Sequence, residues 1–468
     1  MVFSSLIFLF MFLPITLILY YISPRYLKNL ILLISSLIFY AWGEPVYIIL
    51  MLFSIITMFF FAKIIDKNRE NRVLFNILFA LAVMICLGSL VFFKYYGFIV
   101  INLNMIFSLN LSTFELPLPI GISFYTFQIL SYIVDVYRGK VEVQNKIISF
   151  AMYVTMFPQL IAGPIVRYSD VLNEIDTRKE SMLLFGQGVE RFINGLIKKV
   201  LLANYIGLLW NTVKTTSIAE ISIFESWLGI IAFFFQIYFD FSGYSDMAIG
   251  LGKMFGFNFK ENFNYPYISK SVTEFWRRWH MSLGTWFKEY VYIPLGGNKY
   301  GLKKQCRNLI IVWTLTGIWH GANWNFLIWG LYFGIFIVVE KLWLLERLQK
   351  LPSFITHTYV LIIVIVGWVF FEFENLRNAF EYLKIMSGLS GNKLISDNAI
   401  YLFYTNIIVF IFVILASTPI FKKIKEIILA KENLYFNLGI IIFYSISLLL
   451  CTASLVNESY NPFLYFKF

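Results

Sequence analysis

Apolar runs long enough to cross a bilayer recur from one end of the chain to the other, and they limit what the chain can fold into. A helix crossing the hydrocarbon core needs about 20 mostly apolar residues. Phe3 to Ile22 is one such run, a second ends at Trp42, and a third ends at Ala62. Of the 468 residues 59% are hydrophobic and 14% charged, whereas soluble domains carry about 25% charged residues. The chain is expected to be an all-α polytopic membrane protein, a single integral domain over residues 1–468 with no appended soluble module. No cation precedes the first run and no small-residue cleavage site follows it, so it reads as a span and not a signal peptide.

The loops set an orientation, because cationic loops stay on the cytoplasmic side. Arg25 and Lys28 follow the first run, the short turn Gly43–Pro45 follows the second, and Lys63, Lys67, Arg69 and Arg72 follow the third. The amino terminus is therefore expected outside and the Lys63–Arg72 loop inside. Further candidate spans lie near 73–93, 95–109, 120–137, 147–166, 186–210, 225–250, 308–340, 354–373, 400–420 and 434–455. Several are broken by Gly or Pro or carry polar residues, so some are expected to be tilted, re-entrant or interfacial, leaving about eleven true spans. Phe421–Glu432 is cationic and reads as cytoplasmic, which puts the aromatic tail, residues 457–468, outside. The formal net charge of +11 gathers in loops and needs no nucleic acid to explain it. Ten Lys and Arg residues fall in 253–307, making that segment the largest cytoplasmic cationic region.

Two segments carry histidines where the chain has only three. "SVTEFWRRWHMSLGTWFKEYVYIPLGG" (Ser271–Gly297) opens with Ser271 and Glu274 at capping-box spacing. On a continuing helix Glu274 pairs with Arg277 or Arg278, and Thr273, Trp276 and His280 share a face. "LTGIWHGANWNFLIWG" (Leu315–Gly330), read as one helix, puts Thr316, His320, Asn323 and Trp324 on a common face, with Gly317, Gly321 and Gly330 permitting close approach. A polar residue at membrane depth is costly and faces a bundle interior or a water-filled cavity. Imidazole also exchanges protons near neutral pH. Two plainer readings stay open: an aromatic-belt helix with its histidine at headgroup level for His280, and a histidine bonded to a neighbouring carbonyl purely for packing for His320. Upstream, Asp240, Ser242, Tyr244 and Asp246 interrupt another apolar run, either lining a polar passage or bracing the histidine segments.

Other chemistries lack their parts. There is no GxSxG, Walker A loop, GxGxxG or HExxH. Cys86, Cys306 and Cys451 lie far apart and, with the histidines, build no metal spacing. His357 reads as structural.

The run from "FDFSGYSDMAIGLGKMFGFNF" through "EFWRRWHMSLGTWFKEYVYIPLGGN" to "RNLIIVWTLTGIWHGANWNFLIWG" resembles the membrane-bound O-acyltransferase (MBOAT) family, in particular its branch of bacterial alginate O-acetyltransferase membrane subunits. "LPIGISFYTFQILSYIVDVYRG" and "FPQLIAGPIVRY" are similar too, so the motif core covers about 115–335. The resemblance implies a bowl of tilted helices with a central tunnel, and acetyl transfer from cytoplasmic acetyl-CoA to an extracytoplasmic polysaccharide in the bacterial cytoplasmic (inner) membrane. An SGNH-type extracytoplasmic partner is implied, with no bound cofactor and no metal. It carries the catalytic histidine onto His320 and the second motif histidine onto His280, near the donor thioester. Trp319, Asn323, Trp276 and Asp240 would shape the substrate passage. The ending "NPFLYFKF" is similar to an aromatic tail in which a tyrosine carries the acyl group, giving Tyr465 a catalytic role; an interfacial anchor is the plainer reading. Transfer of D-alanine or another acyl group to teichoic acid or peptidoglycan, a sugar or lipid transporter, and a b-type cytochrome ligating haem through His280 and His320 are the competing readings.

Overall fold

The computed structural model describes residues 1–114, 117–161, 163–430, 434–457 and 460–464. Among them every regular element is helical. Two compact units are built from Met1–Phe192 with Met247–Lys260, and from Ile193–Asp246 with Glu261–Phe468.

The first unit holds α1 (Phe8–Ile22), α2 (Lys28–Ala41), α3 (Ile48–Lys67), α4 (Arg72–Phe107), α5 (Ile122–Tyr137), α6 (Ile147–Thr155) and α7 (Tyr168–Thr177). Its core is a phenylalanine cluster in which Phe157 meets Phe12 edge-on at 5.3 Å and Phe39 at 5.5 Å. Arg178 ties the loop after α7 to α1 and α2, donating to Tyr20 Oη at 2.9 Å and Asn29 Oδ1 at 2.7 Å.

Helices α8 (Met182–Thr215) and α9 (Ile223–Met254) belong partly to each unit. The second unit continues with α10 (Val272–Arg278), α11 (Met281–Phe287), α12 (Leu302–His320), α13 (Trp324–Leu348), α14 (Ser353–Glu372), α15 (Leu376–Met386), α16 (Asp397–Ala416), α17 (Ile420–Leu429) and α18 (Leu434–Asn457). The most apolar stretch of α9 is 78% buried, against 22% for α16 and 17% for α18. The apolar stretches of α16 and α18 are thus largely exposed and present an apolar surface, whereas that of α9 is largely buried.

Eight helices among the described residues are long and apolar enough to cross a membrane. That count does not confirm the expected eleven, because 120–137 forms a continuous helix of only 16 residues after Gly121 and 147–166 divides before Pro158 into two short helices. Two candidates merge. Residues 73–93 and 95–109 form the single 36-residue α4, since Lys94 interrupts hydropathy without interrupting backbone hydrogen bonds. One candidate divides instead: 308–340 is the helical hairpin α12–α13, turned at Gly321–Asn323.

That hairpin crosses on glycine. A methyl group at Gly330 would collide with the Trp313 carbonyl and lie 3.0 Å from Gly317 Cα, and one at Gly317 would collide with the Phe326 carbonyl. Both contacts are with backbone and cannot relax by rotamer change. Replacing Gly330 with Val is therefore expected to destabilise by more than the 1–3 kcal/mol typical of overpacking, seen as a lower melting temperature in detergent or loss of monodisperse protein. Unchanged melting would contradict the crossing.

Candidate active site

His320 is the last residue of α12, and its placement follows from the glycine crossing. The backbone becomes extended at Gly321 and remains so at Asn323, so the expected single helix over 315–330, with a shared His320–Asn323 face, is corrected to two helices. Asn323 caps α13, its Oδ1 accepting from Trp324 N at 2.7 Å, while its Nδ2 donates to the Glu374 carbonyl at 3.2 Å. A side-chain oxygen satisfying an unpaired N–H at a helix start is what makes Asn a good cap. His320 itself is 6% exposed and lies edge-on to Trp329 at 4.9 Å and to Phe371 at 5.3 Å. The side chain is buried among aromatic rings.

His280 also departs from its expected helix. α10 ends at Arg278, Trp279 is extended, and His280 takes φ +45° before α11 begins. Left-handed backbone is uncommon outside glycine and persists where surroundings hold it. Here Asn262 does the holding. Its Oδ1 accepts from Ser282 N at 3.2 Å and from Ser282 Oγ at 2.9 Å, and its backbone carbonyl accepts from Met281 N at 2.9 Å. The same Oδ1 lies 3.1 Å from His280 Nδ1. An oxygen already accepting from a backbone N–H can only accept from the ring, so this network assigns the proton to Nδ1 and the lone pair to Nε2. Burial pushes His280 down to about 3, so the ring is neutral at pH 7.

Trp319 joins the two histidines, its ring centroid 6.2 Å from His280 and 5.0 Å from His320. Trp276 packs behind them, edge-on to Trp313 at 4.7 Å, Phe333 at 4.8 Å and Trp329 at 5.4 Å. Trp279 meets Trp368 at 5.0 Å. Both motif histidines are thus embedded in one aromatic box, where edge-to-face pairs contribute about 0.5–1.5 kcal/mol each beyond area burial.

The capping reading holds at Ser271, whose Oγ accepts from Glu274 N at 3.0 Å, and Glu274 pairs with Arg278 at 2.8 Å. Sequence reasoning passed over Glu340. This carboxylate, 1% exposed, accepts from Val272 N at 2.6 Å, and from Thr273 N and Oγ1 at 2.8 and 2.6 Å. An anion at a helix amino terminus satisfies orphan donors and the helix dipole, so Glu340 fixes the start of the helix that carries Trp276. Its signal was available as a lone Glu closing a long apolar run.

Asp240 is not open to the surroundings. It pairs with Lys199 at 2.6 Å, the two side chains 3% and 2% exposed, and its Oδ2 accepts from Leu464 N at 2.8 Å. Lys199 was also missed, although a cation inside an apolar run is the kind of residue expected to face inward. Phe241, next to Asp240, meets His280 edge-on at 4.7 Å, so this part of α9 braces the second histidine. His357 Nδ1 lies 2.9 Å from the Ser269 carbonyl. Tyr465 lies outside the described residues, and no group of metal-ligand side chains occurs among those described.

Comparison with known proteins gives the family of the chain. The model of the MBOAT, membrane-bound O-acyltransferase family, matches residues 34–378. The chain belongs to that family and is a multi-pass bacterial membrane O-acyltransferase. It is 39% identical to the probable alginate O-acetylase AlgI of Pseudomonas putida over the whole of both chains. It is 43% identical to the corresponding Pseudomonas aeruginosa protein over 82% of this chain and 75% of that one. Against a peptidoglycan O-acetyltransferase of Helicobacter pylori the identity is 35%, over 84% of this chain and 81% of the relative. Family membership removes the transporter and cytochrome readings.

Burial that keeps the folded His280 ring neutral ties stability to pH. The unfolded ring, with its ordinary value near 6.5, takes up a proton that the folded ring refuses. Stability is therefore expected to fall as pH drops below about 6.5 and to keep falling toward about 3. His280→Gln should show a flatter fall in melting temperature between pH 7 and 4 than the parent. An equal slope would contradict the buried neutral ring.

Proposed function

We propose that the protein moves an acetyl group from cytoplasmic acetyl-CoA across the bacterial cytoplasmic membrane to hydroxyls of an extracytoplasmic polysaccharide. The observation that carries this reading is the sheltering of His320 and His280 in one aromatic box with Trp319 between them. Similarity to the alginate and peptidoglycan O-acetylating relatives favours acetyl as the acyl group and a cell-surface glycan as the acceptor. The cationic segment 253–307 supplies a cytoplasmic dock for an anionic donor, and both termini lie outside. An extracytoplasmic SGNH-type partner completes delivery to the polymer.

In this mechanism His320 accepts the proton of the attacking hydroxyl as its oxygen bonds to the thioester carbonyl carbon. The carbonyl π electrons move to oxygen, then return as the C–S bond breaks. The departing thiolate takes a proton from the imidazolium, so His320 ends as it began. Water is excluded by Trp319, Trp329 and Phe371, which protects the thioester from hydrolysis and strengthens the electrostatics of the step. His280, with its Nε2 lone pair, orients the donor end. Trp319, Trp276 and Asn323 shape the passage around the reacting groups. The first acceptor is the phenol of Tyr465, which holds the acetyl group as an ester before a second transfer outward.

Substituting His320 with Ala is expected to lower polymer acetylation by about 10²- to 10⁴-fold, the usual contribution of a general base, with expression and monodispersity retained. Near-normal acetylation would defeat the assignment. Incubation of the purified protein with isotopically labelled acetyl-CoA, followed by digestion and mass spectrometry, should place the label on Tyr465. A tail that stays unlabelled during turnover removes the tyrosine step and leaves His320 untouched.

A further inference from the structure

The end of the described chain occupies the polar interior of the second unit. After α18 the segment 460–464 turns back against α8 and α9. Tyr460 Oη accepts from Gln236 Nε2 at 3.3 Å and donates to the Gly207 carbonyl at 3.4 Å. Asn204 Nδ2 donates to Asn461 Oδ1 at 3.3 Å. Phe463 stacks on Tyr244 with centroids 4.5 Å apart, and Phe463 and Leu464 are 8% and 6% exposed.

Two of the contacts are made by one buried ion pair, and both are to tail backbone. Lys199 Nζ donates to the Pro462 carbonyl while pairing with Asp240 Oδ1. Asp240 Oδ2 accepts from Leu464 N at 2.8 Å. Burying a charged pair carries a large desolvation cost that only good geometry and further hydrogen bonds offset. Here the further bonds come from the tail, so the pair and the tail stabilise each other. An ammonium that takes a carbonyl and a carboxylate that takes an N–H two residues later fix both the direction and the register of the segment lying across them. Proline at 462 strengthens this, because its φ is locked and it presents a carbonyl without a competing N–H. Asp240 and Tyr244 are one helical turn apart on α9, and Phe241 between them touches His280. The tail is therefore seated on the same turn of α9 that braces the second motif histidine.

We propose that the Lys199–Asp240 pair is a clamp that sets the position of the carboxyl-terminal tail, making both side chains positioning residues for acyl transfer. This rests on the proposed function above, since the residue that follows the clamped Leu464 is Tyr465. The pair does not touch the acyl group. It holds the backbone whose next side chain does.

The clamp is tested on the full-length protein in detergent with two double variants. Lys199→Met with Asp240→Leu removes the charges and keeps an apolar fill. Lys199→Asp with Asp240→Lys rebuilds the ion pair but turns an ammonium toward the Leu464 N–H and a carboxylate toward the Pro462 carbonyl. Carboxypeptidase digestion read by intact mass should leave Leu464 in place in the parent and run through Leu464 in both variants. Acetyl transfer from labelled acetyl-CoA to polymer should fall by about 100-fold in both, the scale of a misplacement of about 1 Å. A merely structural pair would be rescued by the charge swap, so a swapped protein with a protected tail and normal transfer overturns the proposal. A trimmed tail with unchanged transfer overturns it too. His320→Ala, run in parallel, separates the two levels: an inactive His320 variant beside fully active clamp variants sinks the clamp alone, and an active His320 variant sinks the reading beneath it. If neither double variant folds, hydrogen exchange on the parent decides, with slow exchange expected at the Leu464 amide and unprotected exchange contradicting the clamp.

Discussion

The backbone crossing of α12 and α13 at Gly317 and Gly330 is the contact on which the site depends. With a side chain at either position the two helices cannot meet, and without that meeting nothing fixes the end of α12. Helices inside a bilayer gain little from the hydrophobic effect against each other, so close approach through small residues is how they associate. The crossing brings Trp329 of α13 against His320 and leaves the imidazole at a helix terminus, where the chain turns away. The position of His320 at the end of α12 is thereby set by backbone packing.

Around that contact each polar group is held by another buried group. Asn262 holds the left-handed turn at His280 and selects its tautomer. Glu340 holds the start of α10. Lys199 and Asp240 hold each other and the tail. An unpaired polar group costs more here than in a solvated protein, so the pairs also confer specificity, because a shifted helix would orphan several donors together. The aromatic box surrounds the two histidines with apolar rings that add no charge of their own.

Much of this was legible in the sequence. The apolar runs gave the class of protein, the Ser271–Glu274 spacing gave the start of α10, and the rarity of histidine pointed to His280 and His320. What failed was helical continuity. A periodic pattern carries through Trp279–His280 and through Gly321–Asn323, yet both stretches are breaks, because capping by Asn262 and Asn323 overrides local propensity. Lys94 misled in the opposite sense, suggesting a boundary inside α4. Partners far apart in sequence were the harder loss. Asp240 was noticed, but its counter-ion lies 41 residues upstream and its second partner is a backbone N–H 224 residues downstream, and no periodicity connects them.

The central claim is that an acetyl thioester and His320 come within reach of each other inside the aromatic box. A cryo-electron microscopy map of the protein with a thioether analogue of acetyl-CoA tests it directly. The expected density places the acetyl carbonyl between the His280 and His320 rings, in hydrogen-bond reach of one of them, with the nucleotide toward segment 253–307. Analogue bound elsewhere, with His320 still walled in by Trp319, Trp329 and Phe371, would contradict it.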